Sequence, residues 1–122
     1  MVLSIKVKGL DSTKLFLQGK RKQVQIQANE GLVRASVFLQ GEVKDSIAGR
    51  KAETKSVDTG RFLNSVGFQI KNLVGEVFSK LPYAPFLEFG AGRFKARRHF
   101  NNSANRSKLK IIQIIQQSIN KI

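Results

Sequence analysis

Residues 17–47 read LQGKRKQVQIQANEGLVRASVFLQGEVKDSI. Within them apolar side chains recur as Leu17, Val24, Ala28, Leu32, Ala35, Leu39, Val43 and Ile47. After a first interval of seven, every step is three or four residues, which keeps one stripe on one face of an α-helix. The pattern predicts a helix of about ten turns, opened by Asp11 or Ser12 as a capping residue. Gly19, Gly31 and Gly41 weaken such a helix intrinsically. Packing within the chain or against neighbouring subunits must therefore hold it. Gly49 is its expected end.

Upstream, Leu3, Ile5 and Val7 alternate with Ser4, Lys6 and Lys8, the period-two pattern of a half-buried strand, and Gly9 ends it. Downstream, RKAETKS is polar and aperiodic, so residues 50–57 read as a mobile loop. Val66, Phe68 and Ile70 alternate with polar or small residues, and Leu73 to Ser79 has strand composition. With Asn72 between them, the two runs predict an antiparallel hairpin. Pro82 and Pro85 bracket Tyr83 and interrupt the sheet, and Gly90 and Gly92 open another loop. From Asn101, the residues Leu109, Ile112, Ile115, Ile119 and Ile122 follow helical spacing, with Asn101, Asn102 or Ser103 as caps. KIIQII is rich in β-branched residues and also suits a strand, but length and spacing favour a helix. The expected fold is α+β, one domain over 1–122, with a small antiparallel sheet packed against a long N-terminal helix and a C-terminal helix.

The formal charge is +14, and eight of those charges follow Glu88, after which no acidic residue occurs. Such a field favours a polyanionic partner, nucleic acid or an acidic protein surface. The absence of cysteine excludes disulfides and thiolate metal sites. MVLSIKVKGLD carries lysines inside its apolar stretch and does not read as a signal peptide. No apolar run reaches the roughly 18 residues that suggest a membrane span. Residence in the cytoplasm during synthesis is the expectation.

Catalytic and metal constellations are sparse. His99 is the only histidine; its neighbours Arg97, Arg98 and Phe100 form no recognisable nucleophile setting, so a surface or packing role is expected. The carboxylates show no ligand spacing, and nothing local brings Glu76 to Glu88 as an acid pair. Gly90-Ala91-Gly92-Arg93 lacks the GxxxxGK[ST] pattern of a phosphate loop. Phe89, Arg93, Phe94, Lys95, Arg97, Arg98 and Phe100 mix basic with aromatic residues, a composition that binds single strands by stacking and charge. Core packing is the plainer expectation for most phenylalanines, and for Tyr83 and Phe86. No enzyme activity, cofactor or metal is expected.

Three segments occur in order: Val57-Asp58-Thr59-Gly60-Arg61 with Asn64-Ser65 and a hairpin, then Pro82-Tyr83-Ala84-Pro85-Phe86-Leu87-Glu88-Phe89-Gly90, then Ala96-Arg97 before a terminal helix. This order resembles the small tailed-bacteriophage proteins called minor tail, tail-completion or head–tail joining (neck) proteins. Their pattern is a DTGRL-type segment, a hairpin, a YAxxxExG segment, an ARPF-type segment and a closing helix. Here Arg98-His99 stands where the family usually has Pro-Phe, and Gly90-Ala91-Gly92 where Gly-Thr-Gly is more usual.

The resemblance implies a structural virion protein located at the neck. There it would form a homo-oligomeric ring, a hexamer or dodecamer, that continues the DNA channel and docks the tail. Its neighbours would be a head-completion or connector protein and a tail terminator or tail tube. DNA would pass through the lumen without sequence readout. Asp58, Thr59, Gly60, Arg61, Tyr83, Ala84, Glu88 and Gly90 carry the motifs. Arg93, Lys95, Arg97 and Arg98 are the candidates for contact with DNA or an acidic partner. Physically, Asp58 or Thr59 suits a cap for a short helical turn through Ser65. The Arg61 guanidinium suits a carboxylate, with Glu88 as candidate partner; Gly60 and Gly90 suit special backbone geometry. The alternative is a basic nucleic-acid-binding protein without sequence specificity.

Overall fold

A computed structural model describes residues 3–8, 21–53, 55–56, 60–71, 74–92 and 95–120, with side chains from residue 26 onward. The elements are β1 (Leu3–Lys8), α1 (Arg21–Ile47), α2 (Arg61–Ser65), β2 (Gly67–Lys71), β3 (Val74–Ser79), α3 (Ala84–Phe89) and α4 (His99–Ile119). The fold is α+β.

The hairpin forms as expected, and β3 is the centre of an antiparallel sheet ordered β1-β3-β2. Lys71 pairs with Val74, and Leu3 to Lys8 pair with Ser79 to Val74. Alternation puts Gly75, Val77 and Ser79 on the buried face of β3.

The sheet and α4 both pack on α1. Six stripe residues, Ala28, Leu32, Ala35, Leu39, Val43 and Ile47, are buried. From Ala28 onward α1 therefore lies on its own chain's core; the expected Asp11 or Ser12 cap and Leu17 fall outside the described residues. The helix ends as Gly49 predicts. Gly49 stands at φ 84°, its N–H donates to Ser46 O and that of Arg50 to Asp45 O, the paired bonds of a Schellman cap. Gly31 is a crossing point: an added Cβ would lie 3.1 Å from Ser118 Cβ and 3.3 Å from Ile115 Cα of α4. The same atom at Gly41 would meet nothing within 4 Å.

Two sequence readings need correction. Helix α4 exists, but it begins at His99 and its inner face is Phe100, Ser103, Ser107, Ile111, Ile114, Ile115 and Ser118. Leu109, placed on the apolar stripe by spacing, is 75% exposed. Buried serines extend the face where an apolar count cannot follow it. The second correction is α3, a helix where a loop was expected. Tyr83 stands at its N-cap and a proline in its first turn, where the missing N–H costs nothing.

Candidate functional site

Glu88 and Arg97, from two of the motif segments, meet at one junction beneath α3. Arg97 N–H donates to Leu87 O at 2.7 Å and Arg98 N–H to Glu88 O at 3.2 Å, so the segment before α4 lies against α3. The buried Glu88 carboxylate then accepts the N–H groups of Phe100 at 2.9 Å and Asn101 at 2.8 Å. These are the second and third residues of α4, whose amides an N-cap side chain normally takes. Arg98, at the cap position, makes no such bond. Glu88 thus caps α4 from a distance, with its charge at the favourable end of the helix dipole. Burial pushes its carboxyl up from the usual value, while the two amides pull the other way. The expected caps Asn101, Asn102 and Ser103 lie inside the helix. Arg61, the expected partner, is not among the groups that act on Glu88, which are the Phe100 and Asn101 amides, Arg98 and Glu53. Nor does Glu88 share a site with Glu76, whose carboxylate accepts from Gln69 across the hairpin at 3.2 Å.

A second polar cluster adjoins the first. His99 is fully buried, with Nδ1 2.7 Å from Ser46 Oγ and Nε2 2.7 Å from Ser56 Oγ. Ser46 Oγ donates to Glu53 Oε1 at 2.6 Å. Arg106 binds Glu53 with two nitrogens, both at 2.8 Å, and Asn102 adds a third donor at 3.2 Å. Arg97 Nη1 donates to Ser56 Oγ at 2.8 Å and Lys55 O at 3.1 Å.

One-proton bookkeeping orients the chain of bonds. Ser46 gives its hydroxyl proton to Glu53, so His99 Nδ1 carries the N–H and donates to Ser46. Nε2 is then bare and accepts from Ser56. Arg106 beside Glu53 holds that carboxyl down at about 2. Burial holds the His99 imidazole down at about 4, reinforced by Arg97 and Arg106 and opposed by Glu53. The Glu53 pairing raises Arg106 in turn. A neutral imidazole of such low basicity fastens Ser56 and, through it, the 50–56 segment to α1 and α4.

Residues 50–57 were read as a mobile loop from their polarity. In the described residues 50–53 and 55–56 that polarity serves anchoring: Glu53 and Ser56 join the cluster, Lys51 pairs with Glu42 at 3.2 Å, and Ser56 N–H donates to Ile47 O at 2.8 Å. Ser46, Glu53 and Ser56 carried no sequence signal as partners of His99, and His99 itself is an interior residue.

Among the other motif residues, Gly60 at φ 80° and Gly90 at φ 82° occupy the left-handed half of backbone space, as expected. Gly60, not a side chain, is the N-cap of α2; Asp58 and Thr59 lie outside the described residues. Ala84 is buried, and Arg61 is exposed. Arg98 stands at φ 50°, a backbone that proline, held near −65°, could not adopt.

Tyr83 and Phe86, expected in the core, face outward. Tyr83, Phe86 and Phe89 are 39%, 56% and 59% exposed, three residues apart along one side of α3, while Ala84 and Glu88 face in. Tyr83 keeps an edge contact with Phe62, centroids 6.1 Å apart. Of the basic candidates, Lys95 and Arg98 are exposed, Arg97 is half-buried in the cluster, and Arg93 lies outside the described residues.

Among the described residues no group of three metal-ligating side chains assembles, and no helix is long and apolar enough to cross a membrane. Comparison with protein families, curated proteins and solved structures found no match to this chain.

Proposed function

We propose that this chain is a structural virion protein of a tailed phage. It forms an oligomeric ring at the head–tail junction that continues the DNA channel and docks the tail. The ordered motif set carries the reading: Gly60-Arg61, Tyr83 to Gly90 and Ala96-Arg97 precede a closing helix. The way these residues are used lends support. Glu88, Arg97 and His99 direct their hydrogen bonds to the chain itself, fixing how α3, α4 and the 50–56 segment meet. What faces outward is an aromatic row and basic side chains, surfaces suited to protein docking and to phosphate passing nearby. Lys95 and Arg98 are the lumen candidates that remain accessible.

The test is a reconstruction of the neck of purified virions. The expected result is a ring of this chain between head and tail. Absence of the chain from virions would overturn the reading. The exposed Lys95, Arg98, Lys108 and Lys110 favour a second reading, a nucleic-acid-binding protein without sequence specificity. It predicts a stable monomer whose DNA affinity falls steeply with salt.

A further inference from the structure

Helix α4 has two unlike faces. The inner one packs on α1. The outer one is a ridge of Asn105, Leu109, Gln113, Gln116 and, at the C-cap, Asn120, all exposed. Steps of four, four, three and four hold these residues on one side of the helix over about 22 Å. Lys108 and Lys110 are exposed as well. At about 100° per residue they stand on opposite flanks of the ridge.

The positive charge of this face is not offset along its own helix, because no acidic residue follows Glu88 in the chain. Ion pairs occupy other cations: Arg106 with Glu53, Arg50 with Asp45 and Lys51 with Glu42. Among the described residues, Lys108 and Lys110 take part in no ion pair. The exposed side of α1 differs, since it mixes Ile26, Val33 and Val37 with Glu30 and Arg34 and has no single sign.

Composition distinguishes the partner. Protein interfaces are depleted in lysine and enriched in aromatic residues. The ridge and its flanks are the reverse, with lysines, side-chain amides and Leu109 as the single apolar residue. Lys, Asn and Gln donate to phosphate oxygens, and such contacts hold a nucleic-acid backbone whatever its sequence.

We infer that the outer face of α4 is the surface this chain presents to the phosphate backbone of duplex DNA. Lys108 and Lys110 supply the charge, and the amides of Asn105, Gln113 and Gln116 donate to phosphate oxygens. The inference rests on the DNA-channel reading and extends the contact from Lys95 and Arg98 onto the helix itself; in a ring, α4 faces the lumen.

The test is binding of the full chain to a labelled DNA duplex, followed by fluorescence anisotropy across a series of salt concentrations. Circular dichroism verifies the fold of each variant, and every substituted position is exposed. Wild type should bind with an affinity that falls as salt rises. K108Q/K110Q should flatten the log–log salt dependence by about 2 and lower low-salt affinity at least about tenfold. Q113E/Q116E, which places carboxylates on the ridge, should lose at least about tenfold too. R34Q/K71Q removes the same charge from α1 and the hairpin, and should leave the slope within about 0.5 of wild type. Equal flattening by R34Q/K71Q would mean diffuse attraction to the whole chain and would overturn the inference. So would a wild type that fails to bind duplex, or one that binds polyglutamate in preference to DNA, which would make the partner an acidic protein surface. None of these outcomes decides the ring reading: a ring found in virions alongside any of them would stand without this face.

Discussion

The inner and outer sides of the segment from Pro82 to Phe100 reverse the usual distribution of polarity. Inside lie Glu88 and His99, a carboxylate and an imidazole, buried to 2% and 0% exposure; outside lie Tyr83, Phe86 and Phe89. The inner side is stable because each polar atom has a matched partner. Glu88 takes two amides, and His99 has a donor on one nitrogen and an acceptor on the other. Burial without those partners would cost several kcal/mol. The outer side needs no partner to fold, so its aromatics contribute to what the chain meets and little to what holds it together.

Substitution at Glu88 should break that contrast most strongly. Glu88→Ala leaves the Phe100 and Asn101 amides buried without an acceptor and removes the charge at the start of α4. Chemical denaturation should show a loss of about 2–3 kcal/mol. Glu88→Gln retains one oxygen and should recover part of it. Phe86→Ala on the opposite side should stay within about 0.5 kcal/mol of wild type. Equal costs at the two positions would remove the distinction between the sides.

Acid should act on the inner side alone, and the sign follows from proton counts. His99 binds its proton near 4 in the folded chain and near 6.5 when unfolded. Between those values the unfolded state holds more protons at this site, so the His99 contribution to stability falls as pH drops from about 7 to 4, while Glu88, whose carboxyl is raised, acts in the opposite direction. The shift corresponds to roughly 3 kcal/mol when complete. Glu53, at about 2 folded against 4.5 unfolded, extends the loss below pH 4.5 with the same sign. His99→Gln keeps a donor and an acceptor but does not titrate. Its stability should be flatter between pH 7 and 4.5 in denaturant titrations. A slope unchanged from wild type would mean that His99 is not the group responsible.

Local patterns in the sequence were sufficient for the main elements. The α1 stripe is regular because one helix face meets one core, and β2 and β3 alternate because one sheet face is buried. The junction had no such pattern. Ser46 and Glu53 meet His99 and Arg106 across 53 residues each, and contacts that distant leave no periodic trace. Polarity gave no sign that Lys51, Glu53 and Ser56 bond to Glu42, Ser46 and His99, and aromaticity misled at Tyr83 and Phe86. Leu109 misled for a third reason: serines replace apolar residues on the α4 inner face, so the apolar spacing that found Ile115 and Ile119 also took in an exposed leucine. The partners of Glu88 depended on where α4 begins, which no motif segment marks.

The smallest expected effects come from two glycines ten residues apart on α1, one inner and one outer. Both look equally unfavourable by helix propensity, and sequence alone treats them alike. At Gly31 a methyl group would press on Ser118 Cβ at 3.1 Å and on the α4 backbone at Ile115, 3.3 Å away. The side chain can shift but the backbone yields poorly, so Gly31→Ala should cost about 1–2 kcal/mol despite the gain in propensity. At Gly41 the space is open, and only propensity acts: Gly41→Ala should stabilise by up to about 1 kcal/mol. Melting curves of the two variants should therefore move in opposite directions. Two shifts upward would mean that α1 and α4 are not held as closely at Gly31 as their packing implies. That would loosen the support beneath α4, and with it the cap at Glu88.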